Sequence, residues 1–142
     1  MKRIFHLIIF VTGILALSAC AADQDLTVTD VWARPGIADG NTGAFFVVDN
    51  PAAQPDRLLS AGSDIAEAVE LHQTTMTDGV MQMTPQEYVE IPAGEQVIFK
   101  PGDLHVMLIG LHRQLNFGDS FDLTLDFETA GEITLSVTVQ EP

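Results

Sequence analysis

The sequence predicts an all-β domain, an antiparallel β-sandwich or barrel. Three observations lead there. Short runs of alternating or continuous apolar residues recur along the chain. Turn signals such as "NPAAQP", "DG", "PGD" and "TAG" separate them. Helical periodicity is weak throughout, and many short strands with frequent turns argue for two packed β-layers.

The first segment stands outside that fold. "MKRIFHLIIFVTGILALSAC" has a basic start, Lys2 and Arg3, and an apolar run from Ile4 to Leu17. That run is short of the roughly 20 residues of a comfortable membrane span. It reads as a secretory signal over residues 1–19 and is set aside from fold reasoning. "LSAC", Leu17 to Cys20, resembles a bacterial lipobox, in which the cysteine is lipidated and becomes the first mature residue. That resemblance implies a lipid-anchored protein at the periplasmic face of the cell envelope. Cys20 is the single cysteine of the chain, so an internal disulfide is excluded even in an exported protein. Residues 20–27 then act as a short tether, and residues 28–142 form one domain with an adequate core.

The strands follow in order. "LTVTDVWA" (26–33) alternates, and "TGAFFVVDN" (42–50) is apolar enough for a buried strand. "GSDIAEAV" is the one segment with a possible helical reading, and its alternation argues against it. "AEAVELHQT" (66–74) is a strand with "VMQM" (80–83) as its partner. "EQVIFK" (95–100) and "LHVMLIGL" (104–111) flank the "PGD" turn. "SFDLTLDFE" puts Phe121, Leu123, Leu125 and Phe127 on one face, and "EITLSVTV" does the same with Ile133, Leu135, Val137 and Val139. With "TAG" between them, these last two strands should form a hairpin.

Charge narrows the partners. The formal net charge is −14, and −16 once Lys2 and Arg3 leave with the signal. A domain this acidic is not built for nucleic acid or anionic lipid surfaces.

The chemistry concentrates in "LHQTTMTDGVMQM", residues 71–83. Beyond the initiator the chain has four methionines, Met76, Met81, Met83 and Met107, all in one part of the sequence. Asp78-Gly79 favours a two-residue hairpin turn, because both central positions need positive φ. Counting outward, Thr77 faces Val80, Met76 faces Met81, Thr74 faces Met83 and His72 faces Pro85. Opposed residues share a face, and so do residues two apart. His72, Met76, Met81 and Met83 should therefore point the same way. In "LHVML", His105 and Met107 share one face, while Leu104, Val106 and Leu108 take the other as core.

Thioethers are soft donors that favour Cu(I), and imidazole is compatible with copper and zinc. A His72, Met83, His105, Met107 set suits Cu(I) better than zinc, which usually takes Cys, His or carboxylate. Met81 and Met76 are possible auxiliary donors on the same face. His6 lies in the signal, and His112 sits in a surface "HRQ" turn. An electron-transfer copper site would need a cysteine thiolate, and Cys20 is committed to the lipobox. A metal hydrolase would want carboxylate ligands and a placed base. Asp103 is explained by its turn, and no nucleophile–base pair is present, so no catalytic residue and no enzyme activity are expected. Methionine also fills cores and lines contact surfaces. A β-sandwich lipoprotein that scaffolds an envelope complex without metal is the alternative reading.

The spacing is also that of a known family. His72 is followed by ten residues and Met83, then by twenty-one residues and the His-x-Met of His105 and Met107. Together with "VELHQT", "DGVMQM" and "EIPAGEQVIFKPGDLHVMLIGL", this resembles the periplasmic PCu(A)C copper chaperone family from about Val28 to Val139. The resemblance implies a cupredoxin-like, Greek-key β-sandwich that binds one Cu(I) per chain. It implies delivery to the copper subunit of cytochrome c oxidase, at its CuA centre, alongside a Sco-type thiol protein. Some members carry a His- and Met-rich C-terminal extension for a second copper. This sequence ends on "VTVQEP", so one copper is expected.

Overall fold

The computed structural model describes residues 25–141. The signal run, His6, the "LSAC" segment with Cys20 and most of the tether lie outside the described residues. Ten strands follow in chain order. They are β1 (Thr27–Ala33), β2 (Thr42–Asn50), β3 (Asp56–Gly62), β4 (Ala66–Thr77) and β5 (Val80–Pro85). Then come β6 (Val89–Ile91), β7 (Glu95–Phe99), β8 (Leu104–Leu111), β9 (Ser120–Phe127) and β10 (Gly131–Val139). No helix occurs among the described residues. In "GSDIAEAV", Gly62 ends β3 and Ala66 begins β4, with a turn between.

Hydrogen bonds link the strands in the order β5-β4-β8-β2-β1-β10-β9-β3-β6. β2 is shared along one edge: Thr42–Ala44 pair with β8, and Phe46–Asn50 pair with β7. All pairs are antiparallel except β1 with β10. These are the first and last strands, so no tight turn dictates their relative direction. β3 and β6 do not stand out in the sequence. In β3 buried Leu58 sits next to exposed Leu59, and the register shifts between Leu58 and Ser60, which breaks the alternation. β6 has three residues, too few to show a period.

The sheet folds over one core. Phe46, Val48, Leu71, Val106 and Leu108 come from one side. Leu58, Leu123, Leu125, Phe127, Val137 and Val139 come from the other. Each such side chain contributes about 1.5–3 kcal/mol by leaving water. Phe46 and Phe99, register partners on β2 and β7, stack at 4.3 Å. Asp56 ties the far end: its carboxylate accepts hydrogen bonds from the backbone N–H groups of Arg57, Thr129 and Ala130 at 2.7, 2.9 and 2.9 Å. That pins the β9–β10 turn onto β3. At the opposite side of the sheet, the alternation that sends Leu71 of β4 and Val106 of β8 inward sends their neighbours His72 and His105 to the other face.

Candidate metal centre

The hairpin that carries the first candidates has the register counted from its turn. Thr77 pairs with Val80, Met76 with Met81, Thr74 with Met83 and His72 with Pro85. Asp78 and Gly79 both have positive φ, 51° and 78°. β4 also pairs with β8, and this brings the two halves of the sequence pattern together. His72 is the register partner of His105, and Glu70 is the partner of Met107. On the face away from the core, the two imidazoles thus form one cross-strand row. Met107 lies one row to one side, through Glu70, and Met83 one row to the other, through Thr74.

The imidazoles are packed, not open to water. His105 is 4% exposed. Strand alternation predicts an outward face for it, and it does lie off the core, but neighbouring side chains cover it. Its ring lies 6.4 Å from that of Phe45, which in turn contacts Trp32 at 4.6 Å, and 5.7 Å from that of His72. A row of rings therefore runs across β1, β2, β8 and β4.

Each ring is held by one nitrogen. Nδ1 of His105 lies 2.9 Å from the carbonyl oxygen of Asp103. A carbonyl only accepts, so Nδ1 carries the proton and Nε2 presents a lone pair. Nε2 of His72 lies 2.7 Å from Oε2 of Glu70. With the carboxylate accepting, Nε2 carries the proton and Nδ1 is the lone pair. Nδ1 of His72 and Nε2 of His105 are the buried side-chain polar atoms left without a partner among the described residues. An orphaned buried polar atom costs about 1–3 kcal/mol and asks for a ligand. Fixing one ring nitrogen to an oxygen acceptor while freeing the other is the usual support of a metal-binding histidine.

A cavity of about 350 Å³ opens beside the pair, lined among others by Phe45, Met81, Met83, His105 and Met107. His72 does not line it; its ring packs edge-on against that of His105. Met76 does not line it either and stands further out on the hairpin, 66% exposed. Gly43, the register partner of Met107 on β2, leaves room for the Phe45 ring, which a Cβ there would meet at 3.0 Å.

Harder donors are not assembled. Among the described residues no group of three or more His, Cys, Asp or Glu could hold a metal ion. His112 lies apart and exposed, its Nδ1 2.9 Å from the carbonyl of Asp64. Glu70, which holds the His72 ring, is not singled out by the sequence pattern, although a signal is present: it lies two residues before His72, hence on the same face. Asp103 does more than close its turn, since its carbonyl also accepts from the backbone N–H of Thr74 at 3.1 Å.

Known proteins share this fold. Among solved structures, the copper-bound PCuAC domain from PmoF2 superposes with a TM-score of 0.70 at 25% identity, covering 85% of this chain and 97% of that one. The Cu(I) form of DR1885 from Deinococcus radiodurans gives 0.61 at 28% identity, covering 84% of this chain and 83% of its own. Protein RP573 of Rickettsia prowazekii is 33% identical over 113 residues, 76% of this chain and 62% of that relative's length. The chain thus spans less than two thirds of that relative. "Putative lipoprotein Lxx21020" of Leifsonia xyli subsp. xyli is 30% identical over 115 residues, 80% of this chain and 69% of its own. The pattern described as "Putative lipoprotein LpqE-like" matches residues 26–139, from the residue before β1 to the end of β10. The chain belongs to the LpqE-like family and shares the cupredoxin-like β fold of PCuAC copper chaperone domains.

Proposed function

We propose that the protein is a copper chaperone of the cell envelope. It binds one Cu(I) as cargo through His72, Met83, His105 and Met107. It hands the ion to the copper subunit of cytochrome c oxidase, alongside a Sco-type thiol protein, and it is held at the periplasmic face by a lipid on Cys20.

One observation carries this reading: two buried imidazole nitrogens, Nδ1 of His72 and Nε2 of His105, lack partners in one cross-strand row with a thioether to either side. The donor set is neutral and soft, which favours Cu(I) over zinc or Cu(II). Copper as cargo is supported by the similarity to the copper-bound PmoF2 domain and to Cu(I)-DR1885. The anchor is supported by the lipoprotein naming of the family and of the Leifsonia relative. The chain's own residues do the preparatory work. Glu70 and the Asp103 carbonyl hold the rings, Phe45 packs beside that of His105, and Gly43 leaves space for the Phe45 ring.

Anaerobic titration with Cu(I) against a competing chelator tests the reading. One equivalent is expected, bound more tightly than Zn(II) or Cu(II). Tighter zinc binding would overturn it. Acid should weaken binding, because protons compete for the same imidazole lone pairs. Cys20→Ser should release the protein from the membrane and leave the copper stoichiometry unchanged. Loss of copper in that variant would make Cys20 a ligand.

A further inference from the structure

Met76 and Met81 are not explained by the inner donor set. They are register partners on β4 and β5, so their Cβ atoms lie about 4.5–5.5 Å apart on one face. Methionine ordinarily fills gaps in cores. These two are 66% and 56% exposed, and neither belongs to the core. They occupy the row next outward from Thr74 and Met83. Met81 lines the cavity shared by His105, Met83 and Met107, while Met76 does not. Both are open to solvent, and Met81 alone of the two also reaches the cavity of the inner donors.

We propose that Met76 and Met81 form an outer Cu(I) station, through which the ion enters and leaves the inner site. The proposal rests on the copper reading above and extends it to the route of transfer. Two thioethers hold Cu(I) more weakly than two imidazoles with two thioethers, so the outer station is a place of passage rather than storage. Donors spaced one row apart let the ion exchange ligands stepwise, without ever being released bare into water. The Asp78-Gly79 turn builds the pairing in, because both residues take the positive φ that this register requires. The exposure of Met76 leaves one donor free to be joined by a donor from the accepting protein.

The test uses the protein with ¹³C-labelled methionine methyl groups, titrated anaerobically with Cu(I), and the variant Met76→Leu/Met81→Leu. Leucine keeps volume and apolarity, so a purely apolar contact surface would survive the change. In the wild type, the first equivalent should move the Met83 and Met107 methyl signals, and excess Cu(I) should move those of Met76 and Met81. In the double variant, affinity for the first equivalent should stay within about threefold, while transfer to a chromogenic chelator slows about tenfold. An unchanged transfer rate, or Met76 and Met81 signals that never move, would overturn the station while leaving the inner site standing. A tenfold or greater loss of first-equivalent affinity in Met81→Leu alone would make Met81 an inner ligand and also overturn it. If the wild type shows no first equivalent at Met83 and Met107, the copper reading itself fails and takes the station with it.

Discussion

His72 and His105 stand directly opposite each other on β4 and β8, their ring centroids 5.7 Å apart and their planes inclined at 61°. The two residues come from distant parts of the sequence and are joined only by strand pairing. Each has one nitrogen committed to an oxygen and one buried lone pair free.

The first prediction concerns the His-x-Met pair. His105→Asn with Met107→Leu removes two donors and keeps most of the side-chain volume. Neither residue belongs to the core cluster. Cu(I) affinity should fall by more than about 100-fold, because the loss exceeds that of an outer-shell partner. Circular dichroism should remain that of the folded sandwich. Full-strength binding in a folded double variant refutes the donor set.

Glu70 should matter without binding the ion. Its carboxylate holds Nε2 of His72 and thereby aims Nδ1. Glu70→Ala should weaken Cu(I) binding by about 10- to 100-fold, the usual range for an outer-shell partner of a ligating histidine. Glu70→Gln retains an oxygen acceptor and should lose less. Equal losses in the two variants would show that the hydrogen bond to His72 is not what acts. The readout is competition titration, with line widths of the His72 ring signals in the copper-free protein as a check on ring mobility.

The turn should outweigh one of the donors. At Gly79 a Cβ would meet nothing within 4 Å, so the cost of Gly79→Val is backbone strain alone at φ 78°. A β-branched residue forced into that region costs about 1–2 kcal/mol or more, and the hairpin register should be lost or loosened. A one-residue slip would turn Met83 and Met81 to the other face. Met83→Leu removes one thioether while Met81 remains in the same cavity. Cu(I) affinity should therefore fall further in Gly79→Val than in Met83→Leu. The reverse order would show that the register is not what positions the donors.

Asp56 separates stability from binding. Three backbone N–H groups converge on its buried carboxylate. Asp56→Ala strands them and should cost about 2–3 kcal/mol, read from chemical denaturation. The β9–β10 turn lies away from the cavity, so the Cu(I) stoichiometry of the folded fraction should not change.

Much of this protein is legible in its amino-acid order. Strand alternation has a strict period of two, so "LHVML" alone puts His105 and Met107 on one face and Val106 and Leu108 in the core. The Asp78-Gly79 turn is local chemistry, so the β4–β5 register can be counted residue by residue. The features that are hidden there are either irregular or non-local. β3 escapes because a bulge interrupts its alternation, and β6 because three residues carry no period. The parallel pairing of β1 with β10 joins the two ends of the domain, where no local turn sets the direction.

Sequence by itself determined the fold class, most of the strands, the hairpin register and which residues share a face. These follow from backbone geometry within a few residues. Tertiary structure alone decided that His72 opposes His105, that Glu70 opposes Met107, and that Phe45 packs beside the His105 ring. Pairing between distant strands is set by how the whole core closes, with many side chains contributing at once. The orphaned nitrogens exist only because that closure buries both rings on the same face.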